Sequence, residues 1–136
     1  MKTFREVREK DTVYYLSFSN DVITIHPIKI LNMYELMGDR IVITFMNGVK
    51  ICVNKCQLNN TTLCRNYHSD ITSFMMAYKS ISQKIKKRLK DVMYDTKPSI
   101  ARQENCNSIF RRIDNEVKTM CHTGNVKTVR RYMLQL

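Results

Sequence analysis

The chain has 136 residues, 43% of them hydrophobic, with 23 Lys and Arg against 12 Asp and Glu, a formal charge of +11. That length suits one compact domain or a small domain with a helical appendage, and the apolar content excludes wholesale disorder. No apolar run approaches the roughly 20 residues that span a membrane, and the opening "MKTFREVREKD" alternates charges where a signal peptide needs an apolar stretch, so a cytoplasmic protein is expected.

The first half reads as strands. "TVYYLSF" (12–18) is rich in β-branched and aromatic residues, and "SND" (19–21) is a turn cluster. "VITIH" (22–26) alternates, setting Val22, Thr24 and His26 opposite Ile23 and Ile25, and Pro27 then marks a strand end or an edge. "IKILNMYEL" (28–36) places Ile28, Ile30, Asn32 and Tyr34 on one face, and "MGD" (37–39) makes the next turn. In "RIVITFMNGVKICV" (40–53), two alternating runs flank Asn47-Gly48, a pair suited to a type I′ hairpin turn. Ile41, Ile43 and Phe45 share one face there. Five short strands within about 45 residues suit a small barrel. Their spacing resembles an SH3-like barrel of the Tudor or KOW type, a resemblance of architecture that covers less than half of the chain.

The second half reads as helices. Ser69 or Asp70 can cap a helix along which Ile71, Phe74, Met75, Tyr78, Ile81, Ile85, Leu89 and Val92 recur at spacings of three and four. Pro98 disfavours helix at Lys97 and can open the next one. That helix carries Ile109, Phe110, Ile113, Val117, Met120 and Cys121 as its stripe and stops near Gly124. Asn125 can cap a last short helix, with Val126, Val129, Tyr132 or Met133, and Leu136 on its inner side. The expected fold is therefore α+β: a small SH3-like antiparallel β-barrel domain over 1–62, then a basic helical region over 63–136 with two long helices and one short one.

Charge follows the same division. Residues 1–62 hold eight Lys/Arg against six Asp/Glu, whereas residues 63–136 hold fifteen against six. Such asymmetry points to nucleic acid, an anionic surface or an acidic protein. Within "SQKIKKRLKDVM" (82–93) stand Lys84, Lys86, Lys87, Arg88 and Lys90, and the pairs Arg111-Arg112 and Arg130-Arg131 follow. On a helix, Lys86 and Lys90 flank one side of the apolar stripe, with Lys84, Lys87 and Arg88 on the other side and the back. Charge on both flanks suits a polyanion, held by phosphate neutralisation and counterion release without base readout. The plain alternative is a solvated helix face. The stripe lacks Trp and is needed for a core, which argues against a membrane surface.

Other features are weighed in the same way. Tyr14, Tyr15, Phe18, Tyr34 and Phe45 are candidates to stack on exposed bases or to fill the barrel, and alternation turns Tyr14 and Tyr15 opposite ways. Cys52, Cys56, Cys64 and His68 have a superficially zinc-like spacing, yet an extended chain would hold Cys52 and Cys56 about 13 Å apart, against the roughly 4 Å between sulfurs that share one zinc. Buried or incidental reduced thiols are the expected reading, with no metal and no cofactor. His26, His68 and His122 are the three histidines, and Cys121-His122, being neighbours on a helix, do not face each other as a nucleophile pair must. With no P-loop, GxGxxG, HExxH or nucleophile elbow, no catalytic set is assigned and an enzyme is not expected.

Scarce Ala, Gly and Pro beside abundant Asn, Lys, Ile and Met fit an AT-rich coding genome of the kind many phages have. The function expected from sequence is a non-enzymatic, basic nucleic-acid-binding protein, plausibly phage-encoded, that holds DNA or RNA phosphates with its helical half through the nine residues named above. The alternative is a structural or regulatory protein-interaction module, such as a virion component or an inhibitor of a host complex. It would be an oligomer or bind an acidic protein surface, with Met75, Met76 and Met93 as adaptable contacts.

Overall fold

The computed structural model describes residues 1–92, 97–123 and 130–134. In chain order the elements are β1 (Thr12–Ser19), β2 (Val22–Leu36), β3 (Arg40–Phe45), β4 (Lys50–Asn54), β5 (Thr62–Leu63), β6 (Tyr67–His68), α1 (Ile71–Val92), α2 (Lys97–Thr123) and β7 (Arg130–Met133). Together they make an α+β fold, in which a curled antiparallel sheet of order β4-β3-β2-β1-β6-β5 forms a half-barrel and two helices pack beside it. The strand β7 joins the sheet by pairing with β2. Among the described residues, no helix is long and apolar enough to cross a membrane.

Local chemistry explains the turns. Asn20 and Asp21 both take positive φ, at 52° and 61°, so β1 and β2 are joined by a two-residue loop of the I′ kind that closes on the Ser19–Val22 pair. Asn47-Gly48, where the sequence predicts that turn type, behaves otherwise. Gly48 alone of the two is left-handed, at φ +87°, and its N–H donates to the Phe45 carbonyl at 2.9 Å. Asn47 keeps negative φ and spends its side-chain oxygen accepting the Val49 N–H at 3.0 Å. The hairpin is thus a three-residue loop closed by a left-handed glycine.

The long strand β2 carries two cores. Ile23 and Ile25 point to the helices, joining Leu16, Phe74, Tyr78, Ile85, Phe110, Ile113 and Val117. Ile28 and Ile30 sit on the opposite face, in the barrel core with Phe4, Val13, Ile41, Ile43, Phe45, Val53 and Leu63. Alternation alone sorts these four isoleucines. Pro27 falls between the stretch that β7 pairs (22–25) and the stretch that β3 pairs (30–36), where its missing N–H leaves no ladder bond unmade. The pairing then slips between Ile30 and Asn32. This bulge turns Met33 toward the barrel core and leaves Tyr34 43% exposed, so the expected single face of Ile28, Ile30, Asn32 and Tyr34 is broken.

The helices follow their stripes. Asp70 caps α1 by accepting the Ser73 N–H at 2.9 Å, and Phe74, Tyr78, Ile85 and Leu89 are buried beneath it. Cys106, Ile109, Phe110, Ile113, Val117 and Met120 form the inner face of α2. The expected boundary between 62 and 63 falls inside β5, and β6 and β7 also come from the second half of the chain to complete the sheet.

The chain's end differs from expectation. Of the short helix predicted from Asn125 to Leu136, residues 124–129 and 135–136 lie outside the described residues, and Arg130–Met133 is a strand. Tyr132 and Leu134 are buried at a spacing of two, whereas Met133 is 74% exposed. An isolated short helix is marginal in water, while the open edge of β2 offers unpaired backbone groups along 22–25, and the edge wins.

Candidate nucleic-acid interface

The strand β7 brings distant basic residues together. Its alternation sends Arg130 and Tyr132 toward α2 and Arg131 toward the other face of the sheet, opposite Thr24. One turn of α2 supplies Arg112, whose guanidinium carbon lies 5.6 Å from the Tyr132 ring centroid, a cation–π contact that pins both groups. The result is a polar groove lined by Arg112, Asn115, Glu116, Thr119, Arg130, Arg131 and Tyr132, with a volume of about 550 Å³. Glu116 is the single acid among those residues, and it meets Arg130 at 3.6 Å. Burial pushes the Tyr132 hydroxyl up in pKa, Glu116 adds to the rise, and Arg130 and Arg112 oppose it.

Arg131 also borders a second cavity, of about 400 Å³, on the other side of β7. Its walls are Tyr15, Thr24, His26, Ile28, Asn47, Val49 and Tyr67. Tyr15 pairs with His26 across β2 and with Tyr67 across β6. The two tyrosine rings lie 5.1 Å apart at 59°, and Phe45 stacks behind Tyr67 at 4.6 Å and 6°, so the aromatic wall is braced from the barrel core. Burial lowers the His26 pKa, and Arg131 lowers it further, leaving a neutral imidazole at neutral pH. Tyr67 moves the other way, raised by burial first and then by Tyr15 and Cys64.

The remaining basic residues do not converge on this groove. Lys86 reaches across to α2, its ammonium 5.3 Å from the Phe110 ring centroid. Lys84 lies on another flank, bordering a separate cleft with Arg65, Asn66 and His68. Lys87, Arg88 and Arg111 are exposed and line neither cavity, and the side chain of Lys90 lies outside the described residues. The described part of the basic stretch, Lys84 to Arg88, therefore wraps its helix, while Arg112 and Arg130 gather in the groove and Arg131 stands between the two cavities.

The aromatic residues divide as well. Tyr14 packs toward the helices, 6.1 Å from Phe74, and Tyr15 faces the cavity, opposite ways as alternation requires. Phe45 is core, Phe18 packs against the helix core, and Tyr34 is exposed away from both cavities. Tyr67 was missed by sequence reasoning, since it stands alone among polar residues in a two-residue strand. The alternation that aligned Thr24 with His26 was the signal that a polar face of β2 existed.

Cys52, Cys56 and Cys64 are exposed thiols, and His68 is buried with its Nδ1 near Thr62 Oγ1 (3.1 Å) and Ser73 Oγ (3.0 Å). Among the described residues no group of three His, Cys, Asp or Glu is placed to share a metal ion. The side chains of Cys121 and His122, and residue Met93, lie outside the described residues. Met75 packs against the helix core and Met76 is exposed.

These features define a small α+β protein with an arginine groove on one side of an edge strand and an aromatic cavity on the other. Compared with known proteins, the chain matches no family model, and no curated protein or solved structure is significantly similar to it.

Proposed function

We propose that the protein is a non-enzymatic nucleic-acid-binding protein of the cytoplasm that grips phosphates in the groove between α2 and β7. The observation that carries this reading is the meeting of Arg112 and Arg130, from two elements, in a groove with one acid among its lining residues, which Arg131 borders while its side chain turns to the other face of β7. Arginine is the side chain best matched to phosphate, because its planar fork donates two hydrogen bonds at once. The Arg130–Glu116 pair is long and partly exposed, so it competes weakly with a phosphate for that guanidinium. Lys84, Lys86, Lys87, Arg88 and Arg111 contribute a surrounding positive field that draws polyanions in. The SH3-like resemblance is supported by the strand path: a meander from β1 to β4, a 3-10 turn at Lys55–Asn59, then β6 returning to β1. A phage source remains the composition's best fit. Titration with labelled DNA and RNA at low salt tests the reading. Binding that weakens steeply with added salt supports it, and no binding to either at about 50 mM salt removes it.

The alternative is a protein-interaction module, favoured by the exposed side chains Leu31, Tyr34, Leu36 and Met37 near the β2–β3 turn. A pull-down from host lysate with and without nuclease separates the two. Partners retained after nuclease treatment support this second reading.

A further inference from the structure

The cavity on the far side of β7 shares Arg131 with the phosphate groove, and its walls differ in kind from that groove. Two tyrosines, a neutral imidazole, an asparagine and a threonine surround it, with Arg131 as its single cation. We propose that this cavity takes one unpaired nucleobase, so that the nucleic acid bound is single-stranded. The inference rests on the phosphate reading of the adjoining groove.

Four observations carry it. The volume, about 400 Å³, lies at the small end of the roughly 300–1,000 Å³ range of small-ligand sites. The wall of Tyr15 and Tyr67 is aromatic and braced from behind by Phe45, which makes it a rigid stacking surface. Thr24, His26 and Asn47 supply hydrogen-bonding groups of both senses at the perimeter, suited to a base edge. Finally, Arg131 stands between the two cavities, so a strand whose phosphate meets Arg131 has its next base at the mouth of the aromatic one. A cationic ligand is disfavoured by Arg131 and by the +11 charge. A paired base is disfavoured too, because inside a duplex its faces are already stacked.

The full-length protein is titrated with three labelled ligands of equal length: an oligothymidylate, an abasic strand with the same phosphates, and a duplex. Fluorescence polarisation reads the affinities. The oligothymidylate is expected to bind about 5- to 140-fold tighter than the abasic strand, the range that stacking of one base provides. Tyr15→Ala should abolish that difference and Tyr15→Phe should keep it, with circular dichroism checking both folds. The abasic comparison needs no variant and so stands even if Tyr15→Ala unfolds. Equal affinity for oligothymidylate and abasic strand overturns the base cavity while leaving the phosphate groove intact. Failure of all three ligands to bind at low salt overturns both.

Discussion

The two most basic regions of the molecule are organised in opposite ways. Residues 84–90 concentrate five cations in seven positions, yet among the described side chains the helix separates them, Lys84 bordering a cleft with Arg65 and Lys86 reaching across to Phe110. Arg112 and Arg130 are 18 residues apart in the chain, yet they meet in one groove because β7 docks beside α2, and Arg131 borders that groove from the strand's other face. Density of charge along a helix is thus a poor guide to density of charge in space. An amphipathic helix must place every polar residue on an arc of more than half its circumference, whereas a strand edge and a helix flank can meet along a line.

The sharpest way to break that comparison is charge reversal at each region. Arg112→Glu, Arg130→Glu and Arg131→Glu together should reduce nucleic-acid affinity by roughly tenfold per arginine, since a hydrogen bond to a charged group is worth about 1.5–3 kcal/mol. Lys84→Glu with Lys87→Glu should cost less than about threefold, because it acts only through a field screened over about 8 Å at physiological salt. Equal losses in the two variants would sink the distinction. Next in size is Tyr132→Ala, which removes both the platform under Arg112 and a buried ring of the helix core. A loss of about 3 kcal/mol in stability by urea denaturation is expected, as for large aromatic truncations, and Tyr132→Phe should recover most of it. A smaller effect is the salt slope. On single-stranded ligand, the triple arginine variant should show a log–log dependence shallower by about 2, near 0.7 for each phosphate no longer neutralised. The lysine variant should leave the slope close to that of the wild type.

Much of this fold was legible because its strands alternate and its helices repeat cleanly. Ile41, Ile43 and Phe45, and Phe74, Tyr78, Ile85 and Leu89 of the helical stripe, are buried as their periods require. What was not legible depended on competition between local and distant partners. The bulge at Leu31 shifts the phase of β2, and no residue there announces it. The type I′ turn belongs to Asn20-Asp21, whose tolerance of left-handed backbone serves the tighter loop, rather than to the more suggestive Asn47-Gly48. Val126, Val129 and Tyr132 are compatible with a short helix by spacing, but β-branched and aromatic residues also suit a strand, and the free edge of β2 decides for Arg130–Met133. The same docking decides the candidate site. Arg112, Arg130 and Arg131 could all be named from sequence, but the meeting of Arg112 with Arg130 and the place of Arg131 between the two cavities could not, because both follow from that strand pairing.

Acid should act on the two sides of the sheet with opposite sign. His68 is 3% exposed, and burial lowers its pKa from 6.5, with Asp70 pulling partly back upward. Between 6.5 and that lower folded value, the unfolded chain binds a proton that the folded chain does not. Its contribution to stability is therefore complete above 6.5 and is lost as pH falls through the folded value. The urea midpoint should drop as pH falls below 6.5, and His68→Asn, which keeps a polar contact for Thr62 and Ser73 but cannot titrate, should flatten that drop. His26, lowered first by burial and then by Arg131, titrates in the cavity instead. Protonating it adds positive charge beside Arg131, so an anionic strand should bind tighter over the same interval in which the fold weakens. A His26→Gln variant whose affinity still rises on acidification would show that the gain comes from elsewhere, and a wild-type affinity that falls in step with stability would remove the opposition of signs altogether.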